Sequence, residues 1–349
     1  MAQKVDFYPD FFYLSLILPA SKIMQTANRI LSCDWGTSSF RLRLIDTETR
    51  QCIAEVTSDN GNASIFNRWK AQPESNRLRF YLAYLQEGVD ALAKKAGGRL
   101  NDVPILVSGM ASSTIGMKEL PYGNIPFAID GHTAKAEWID AKPFLPNDVL
   151  LISGVQSEND VMRGEEVQLV GVMSQVDLKK DIGALFLFPG THSKHIRVQN
   201  GEIVEFNTFM TGEMFEVVAK HSILAHAVTS ITSDQDIESF RKGVEKALDT
   251  DLLNSLFSVR INQLKNRMTA EQNYFYLSGL LIGAEVKYIQ SDDDSNVVLC
   301  SSGKLLKLYE NALDCLGLSR KVVVIESGIL DAAAAAGQIE IFKNFRIKR

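Results

Sequence analysis

The stretch Ile30-Leu-Ser-Cys-Asp-Trp-Gly-Thr-Ser-Ser-Phe-Arg-Leu-Arg-Leu-Ile45 decides the fold. Ile30 to Cys33 reads as an apolar strand, Asp34 to Ser39 as a polar turn and Phe40 to Ile45 as a second strand. Phe40, Leu42 and Leu44 alternate with Arg41 and Arg43, the period of a half-buried strand. The turn residues Gly36, Thr37 and Ser38 offer backbone N–H groups and hydroxyls that can wrap phosphate oxygens, because glycine allows close approach. Asp34, at the strand end, could hold Mg²⁺ directly or through water. Alone, the same residues also fit an ordinary hairpin with a capped turn.

A second copy of the pattern favours the phosphate reading. Ala184 to Phe188 and Lys194 to Val198 read as strands around Pro189-Gly190-Thr191-His192-Ser193. Gly190, Thr191, His192 and Lys194 would serve a second phosphate hairpin, with His192 or Lys194 neutralising a transferring phosphoryl group. His195 starts the following strand and reads as structural. Two such hairpins, one per half, imply a nucleotide cleft between duplicated α/β domains. Further strands are expected at 52–57, 103–108, 149–152, 297–300 and 322–325. Helices are expected at 78–96, about 160–172, 253–289, 305–316 and near 332–336. The glycine motifs of a P-loop and of a dinucleotide fold are both missing from the sequence.

Between the hairpins, Glu158-Asn-Asp-Val-Met-Arg-Gly-Glu-Glu166 carries four acids and one arginine. Asp160, expected at a helix N-terminus, where the dipole favours a carboxylate, is the first choice for the base that takes a proton from an acceptor hydroxyl. Glu165 is the reserve. Arg163 could clamp a carboxylate or phosphate bidentately. The plain alternative is a capping aspartate with an Arg163–Glu166 surface pair. Thr211, in Met210-Thr-Gly-Glu213, could cap a helix or touch ligand. Gly279 and Gly283, four apart, read as a helix-packing face. Ser301-Ser302-Gly303 forms a strand-to-helix turn of the kind that abuts an adenine or ribose.

Taken in order, D-W-G-T-S, V-M-R-G-E-E, P-G-T-H-S-K, M-T-G-E and S-G-L-L-I-G-A-E-V resemble the 2-dehydro-3-deoxygalactonokinase family, sugar-acid kinases of the actin-like ATPase superfamily. The resemblance runs from about Ile30 to Gly337. It implies two ribonuclease-H-like domains around a nucleotide cleft, MgATP as phosphoryl donor, and transfer to the 6-hydroxyl of 2-dehydro-3-deoxy-D-galactonate in galactonate catabolism. By the same comparison Ser301 to Gly303 lie on the adenosine side. Gly109 to Pro126 resembles the sugar-side segment, with Ser113, Lys118 and Tyr122 as acceptor contacts. Met117, where an aromatic is expected, and Ser153-Gly154, where Pro-Gly is expected, depart from the family pattern on the acceptor side. Arg163 or Lys118 would read the acceptor's carboxylate.

The expected layout is an N-terminal extension at 1–29, a first domain at 30–155 and a second at 156–349. With 46% hydrophobic and 23% charged residues the chain is ordinary globular material, and a net charge of −5 gives no reason to expect nucleic acid or anionic membrane as partner. Phe11 to Leu18 is apolar but too short to span a bilayer. Its flanks, with Lys4 outweighed by Asp6 and Asp10, do not match a signal peptide. Cys33, Cys52, Cys300 and Cys315 lack CxxC spacing and read as buried thiols of a cytoplasmic protein. A homodimer is left open. Other readings are a kinase for the gluconate epimer and a non-catalytic ATP-binding regulator of the same fold.

Overall fold

A computed structural model describes residues 28–72, 75–142, 144–177, 183–229, 236–289 and 296–347. The apolar run 11–18 and the acidic run 292–294, expected to be a solvated loop, lie outside them. The first half runs through β1 (Arg29–Trp35), β2 (Phe40–Asp46), β3 (Cys52–Ser58), α1 (Asn62–Lys70), α2 (Arg77–Ala96) and β4 (Ile105–Gly109). Short strands β5 (Gly123–Asn124) and β6 (Phe127–Ala128) precede β7 (Ala136–Ile139) and β8 (Val149–Ile152). The sheet order is β3-β2-β1-β4-β8-β7, with β1, β4 and β8 parallel and β1, β2 and β3 antiparallel.

β9 (Val155–Gln156), β10 (Val161–Met162) and α3 (Glu165–Met173) lead into the second half. There β11 (Ala184–Phe188), β12 (Ser193–Gln199) and β13 (Glu202–Phe209) are followed by α4 (Thr211–His221), α5 (Ile237–Asp249), α6 (Leu252–Leu264) and α7 (Ala270–Val286). The chain closes with β14 (Asn296–Leu299), α8 (Gly303–Cys315), β15 (Val322–Val324) and α9 (Ser327–Ile347). This sheet is ordered β15-β14-β11-β12-β13-β6. Its five native strands repeat the first sheet's core: three antiparallel strands, then two parallel to the first. The duplication read from two turns is therefore a duplication of sheet topology.

The repeated hairpins are rigid for local reasons. Trp35, Phe40, Tyr81 and Tyr84 stack with ring centroids 5.0–5.7 Å apart behind the first turn. Such pairs contribute about 0.5–1.5 kcal/mol each beyond their burial. The start of α1, a helix that strand–turn–strand reasoning passes over, sits against the same turn. Asn62 N–H donates to Gly36 O (2.9 Å), Ala63 N–H to Thr37 O (3.1 Å), and the Asn62 amide to Trp35 O (2.8 Å). Gly61 makes this approach feasible, since a Cβ there would lie 2.3 Å from Thr37 O.

Two segments cross the expected divide at 155/156. β6 adds to the second sheet through β13. α9 returns to the first sheet, where Ala335, Ile339 and Phe342 pack on Ile30, Ile45, Leu106 and Leu150. On the Arg41/Arg43 face of β2, Arg41 stays exposed while Arg43 is covered. Arg43 reaches both carboxylate oxygens of Asp331 at 2.8 Å and also pairs with Glu55. Gln338 of α9 donates to Cys33 O (3.0 Å) and Ser108 Oγ (2.8 Å). α9 crosses α3 through glycines: a Cβ on Gly171 would lie 1.8 Å from Ala333 O, and one on Gly337 1.9 Å from Val167 O.

Other expectations are corrected in detail. The helix expected from about 160 begins only at Glu165, because Val161–Met162 pairs with Val155–Gln156 as a strand. The helical region 253–289 is two helices, α7 opening on a Thr269–Gln272 capping box. Gly279 and Gly283 do serve packing, their absent Cβ atoms falling 2.0 Å from Phe240 O and 2.9 Å from Val244 Cα of α5. Cys52 is exposed, not buried, and Cys315 is only partly covered. No helix among the described residues is long and apolar enough to cross a membrane.

Candidate active site

Both hairpins and the α3 N-terminus open onto one cleft of about 590 Å³. Asp34, Gly36 and Thr37 line it from the first sheet, and Gly190, Thr191, His192 and Lys194 from the second. Asp160, Arg163, Glu165 and Tyr122, also expected from the sequence, line it too. Strand direction explains the convergence. β1 and β11 each run toward the cleft, so each turn delivers its donors at the carboxyl end of a central strand, where open α/β sheets bind ligands.

Asp34 is half-buried in this wall. Burial raises its carboxyl pKa, Arg41 opposes the rise, and the negative charge of Glu165 adds to it. Two carboxylates that feel each other beside phosphate-type turns are a donor set suited to Mg²⁺, which takes one or two carboxylates plus phosphates and waters. No cluster of three or more His, Cys, Asp or Glu exists among the described residues, and a magnesium site of this kind needs none.

Glu165 is the first residue of α3, beside the free N–H groups of that helix end. Lys194 Nζ lies 3.3 Å from its Oε1, and the lysine side chain is only 6% exposed. Glu166 points the other way, into the protein. Its carboxylate accepts Gly164 N–H at 2.8 and 3.0 Å, and burial, reinforced by Glu165, pushes its pKa up to about 8. Gly164, at φ +118°, occupies a backbone conformation that disfavours side chains and lets two successive glutamates face opposite sides.

Asp160 is placed differently from expectation. It precedes a strand, not a helix, and its oxygens are spent on structure. Oδ2 accepts Thr208 N–H at 2.6 Å, while Oδ1 accepts Thr208 Oγ1–H at 2.9 Å and Val161 N–H at 2.7 Å. Asp160 thereby ties the linking segment to the end of β13. Arg163 forms no pair with Glu166. Its Nη1 donates to Ser112 O at 2.6 Å and to the Ser112 hydroxyl, and its guanidinium lies 4.2 Å from the Tyr122 ring centroid. The buried Arg163 Nε finds no hydrogen-bond partner among the described residues.

Several expected contacts stay off the cleft wall. Ser113 is buried in its own turn, donating to Met110 O at 2.7 Å. Lys118 pairs at 2.5 Å with Glu137 on β7. Ser38 is exposed beyond the lining of the first turn, and His192, though on the wall, engages Glu213. Ser301, Ser302 and Gly303 do not line the cleft. They open α8, whose Lys304, Leu305, Leu308 and Tyr309 line a neighbouring apolar pocket of about 230 Å³. Phe215 from α4 and Tyr274, Phe275, Leu281 and Ile282 from α7 complete that pocket. Sequence reasoning missed it because its wall comes from three separate helices with ordinary apolar spacing. Gly190 belongs to both cavities, so the pocket and the cleft meet at the second hairpin.

Comparison with known proteins agrees with this arrangement. The sequence model of the 2-keto-3-deoxy-galactonokinase family matches residues 34–341. A Rhizobium meliloti (strain 1021) protein described as a probable 2-dehydro-3-deoxygalactonokinase is 33% identical over 324 residues, covering 90% of this chain and 98% of that protein. The Escherichia coli (strain K12) 2-dehydro-3-deoxygalactonokinase is 27% identical over 300 residues, covering 83% and 90%. The crystal structure of a Sinorhizobium meliloti protein provisionally described as a 2-dehydro-3-deoxygalactonokinase superposes with a TM-score of 0.70 at 31% identity, covering 88% of this chain and 96% of that one. With a family match over most of its length and relatives aligned nearly end to end, the chain belongs to the 2-keto-3-deoxy-galactonokinase family.

Proposed function

We propose that this protein transfers the γ-phosphoryl group of ATP to the 6-hydroxyl of 2-dehydro-3-deoxy-D-galactonate, a step of galactonate breakdown in the cytoplasm. The observation that carries the placement of ATP is the shared position of Gly190. The base fits the apolar pocket, and the triphosphate passes Gly190 into the cleft between the two hairpins. Asp34 would hold Mg²⁺, whose bound form supplies charge neutralisation at the phosphates.

Glu165 is the base in this reading, in preference to Asp160. It lies on the cleft wall at a helix N-terminus with Lys194 as its ionic partner, whereas Asp160 already accepts three donors. The 6-hydroxyl oxygen attacks the γ-phosphorus, its proton passes to the Glu165 carboxylate, and the bond to the ADP oxygen breaks. Lys194 and the N–H groups of both turns offset charge on the phosphoryl group, the main task in this chemistry. Arg163, preset by Ser112 and Tyr122, takes the acceptor's carboxylate.

The test is ADP release from MgATP with four acceptors: 2-dehydro-3-deoxygalactonate, its gluconate epimer, galactonate and glycerol. Turnover on the first alone is expected. Preference for the epimer would reassign the substrate and point to Met117 and Ser153. Silence on all four with ATP still bound would favour a regulator.

A further inference from the structure

Glu285, on the last turn of α7, is 3% exposed and stands outside both cavities, yet its carboxylate gathers donors from three other elements. The Tyr309 hydroxyl of α8 donates at 2.8 Å, His195 Nε2 of β12 lies at 3.0 Å, and the Thr211 hydroxyl of α4 donates as well. Tyr309 Oη is also 3.0 Å from Ser193 Oγ, which accepts Gly190 N–H at 3.3 Å. Tyr309 has one proton and gives it to Glu285, so its contact with Ser193 is one it accepts; the chain runs Gly190 N–H to Ser193, Ser193 to Tyr309 and Tyr309 to Glu285, with Gly190 O a longer second acceptor for Ser193 at 3.5 Å. Burial and Glu285 both raise the Tyr309 pKa well above its usual value, which keeps the phenol a donor.

The same residues build the walls where nucleotide is placed. Gly190, Thr211 and Tyr309 all line the apolar pocket. α4 begins directly against the second hairpin: Glu213 N–H donates to Thr191 O at 3.1 Å, and a Cβ on Gly212 would lie 2.6 Å from Gly190 O. Packing alone gives no reason to bury a carboxylate here, since desolvating one is costly and a leucine would fill the space. What the carboxylate adds, through Tyr309, Ser193 and Thr211, is a fixed geometry among the second hairpin, α4 and α8.

We propose that Glu285 is a positioning residue for the nucleotide. Acting through Tyr309, Ser193 and Thr211, it locks the second phosphate hairpin to the apolar pocket, so that the spacing between base and phosphates is set before ATP arrives. This rests on the ATP placement proposed above.

The experiment measures binding of a fluorescent ATP analogue without acceptor, together with KM for each substrate, in the full chain and in Glu285→Gln, Tyr309→Phe and His195→Gln. Tyr309→Phe keeps the ring in the pocket and decides the matter should Glu285→Gln fail to fold. Folded Glu285→Gln and Tyr309→Phe should bind nucleotide about 10–100-fold more weakly, with the acceptor KM within about twofold. His195→Gln, which contacts the carboxylate away from the hairpin chain, should lower thermal stability and leave nucleotide affinity unchanged. Nucleotide affinity within about twofold of wild type in Tyr309→Phe would overturn the proposal. So would a parallel rise in both KM values, or an equal loss of affinity in His195→Gln. Wild-type protein that binds no ATP analogue would instead sink the nucleotide placement itself.

Discussion

Replacing Glu165 by glutamine separates the two candidate bases most cleanly. The change keeps side-chain size and the helix start, and removes the negative charge that accepts a proton and pairs with Lys194. A positioned general base contributes typically 10²–10⁴-fold, so kcat should fall by that factor, with KM for ATP changed little. Asp160→Asn should behave differently. Its carboxylate accepts Thr208 N–H (2.6 Å), the Thr208 hydroxyl (2.9 Å) and Val161 N–H (2.7 Å), and an amide would turn one acceptor into a donor facing a donor. That clash costs about 1–3 kcal/mol of stability, with a fall in kcat of less than about tenfold. The assay is coupled ADP release with acceptor saturating, run beside a denaturation curve for each variant. A folded Asp160→Asn protein without turnover, beside an active Glu165→Gln protein, would refute the argument and return the base to Asp160.

Two further predictions concern buried groups on α3 and on α9, the helix that crosses it. Glu166, neutral in the folded chain up to about pH 8 but ionised above about pH 4.5 when unfolded, binds more protons in the native state across that window. Stability should therefore fall as pH rises through it, by up to ~1.4 kcal/mol per unit, and level off above it. Glu166→Gln, which still accepts Gly164 N–H, should flatten this slope in denaturant midpoints taken from pH 5 to 9. An unchanged slope would count against the burial argument. Gly337→Ala would press a methyl 1.9 Å from Val167 O and force α9 and α3 apart. A loss of about 1–3 kcal/mol is expected, with a drop in kcat because α3 carries Glu165. A variant with wild-type stability and turnover would show that the crossing relaxes freely.

The α/β class, the duplication and both glycine turns were legible in the sequence because each depends on local rules. Strand alternation around Gly36 and Gly190 and the apolar runs that end in those turns need no distant partner to be read. The packing role of Gly279 and Gly283 was legible for the same reason, as spacing on one helix. The local structure around the base candidates was not. Whether 160–164 is helix or strand turns on a two-residue pairing with Val155–Gln156, which leaves almost no periodicity. Ser113 and Lys118 lie off the cleft wall because the loop from β4 to β5 folds onto itself and onto β7, where Glu137 pairs with the lysine.

Long-range contacts decided everything else. The return of α9 to the first sheet, the apolar pocket shared by α4, α7 and α8, and the Glu285 chain from β12 to α8 join residues up to about three hundred positions apart. No local pattern encodes such pairs: Arg43 looks like a surface residue until Asp331 covers it, and Glu285 looks like a helix-face glutamate until three donors close around it. The sequence by itself determined the two strand–turn–strand units and their glycine turns, because alternation and turn residues are local. The tertiary structure decided how Asp160 and Glu165 are held beside them, because that depends on where a helix begins and on which oxygens other donors have already taken.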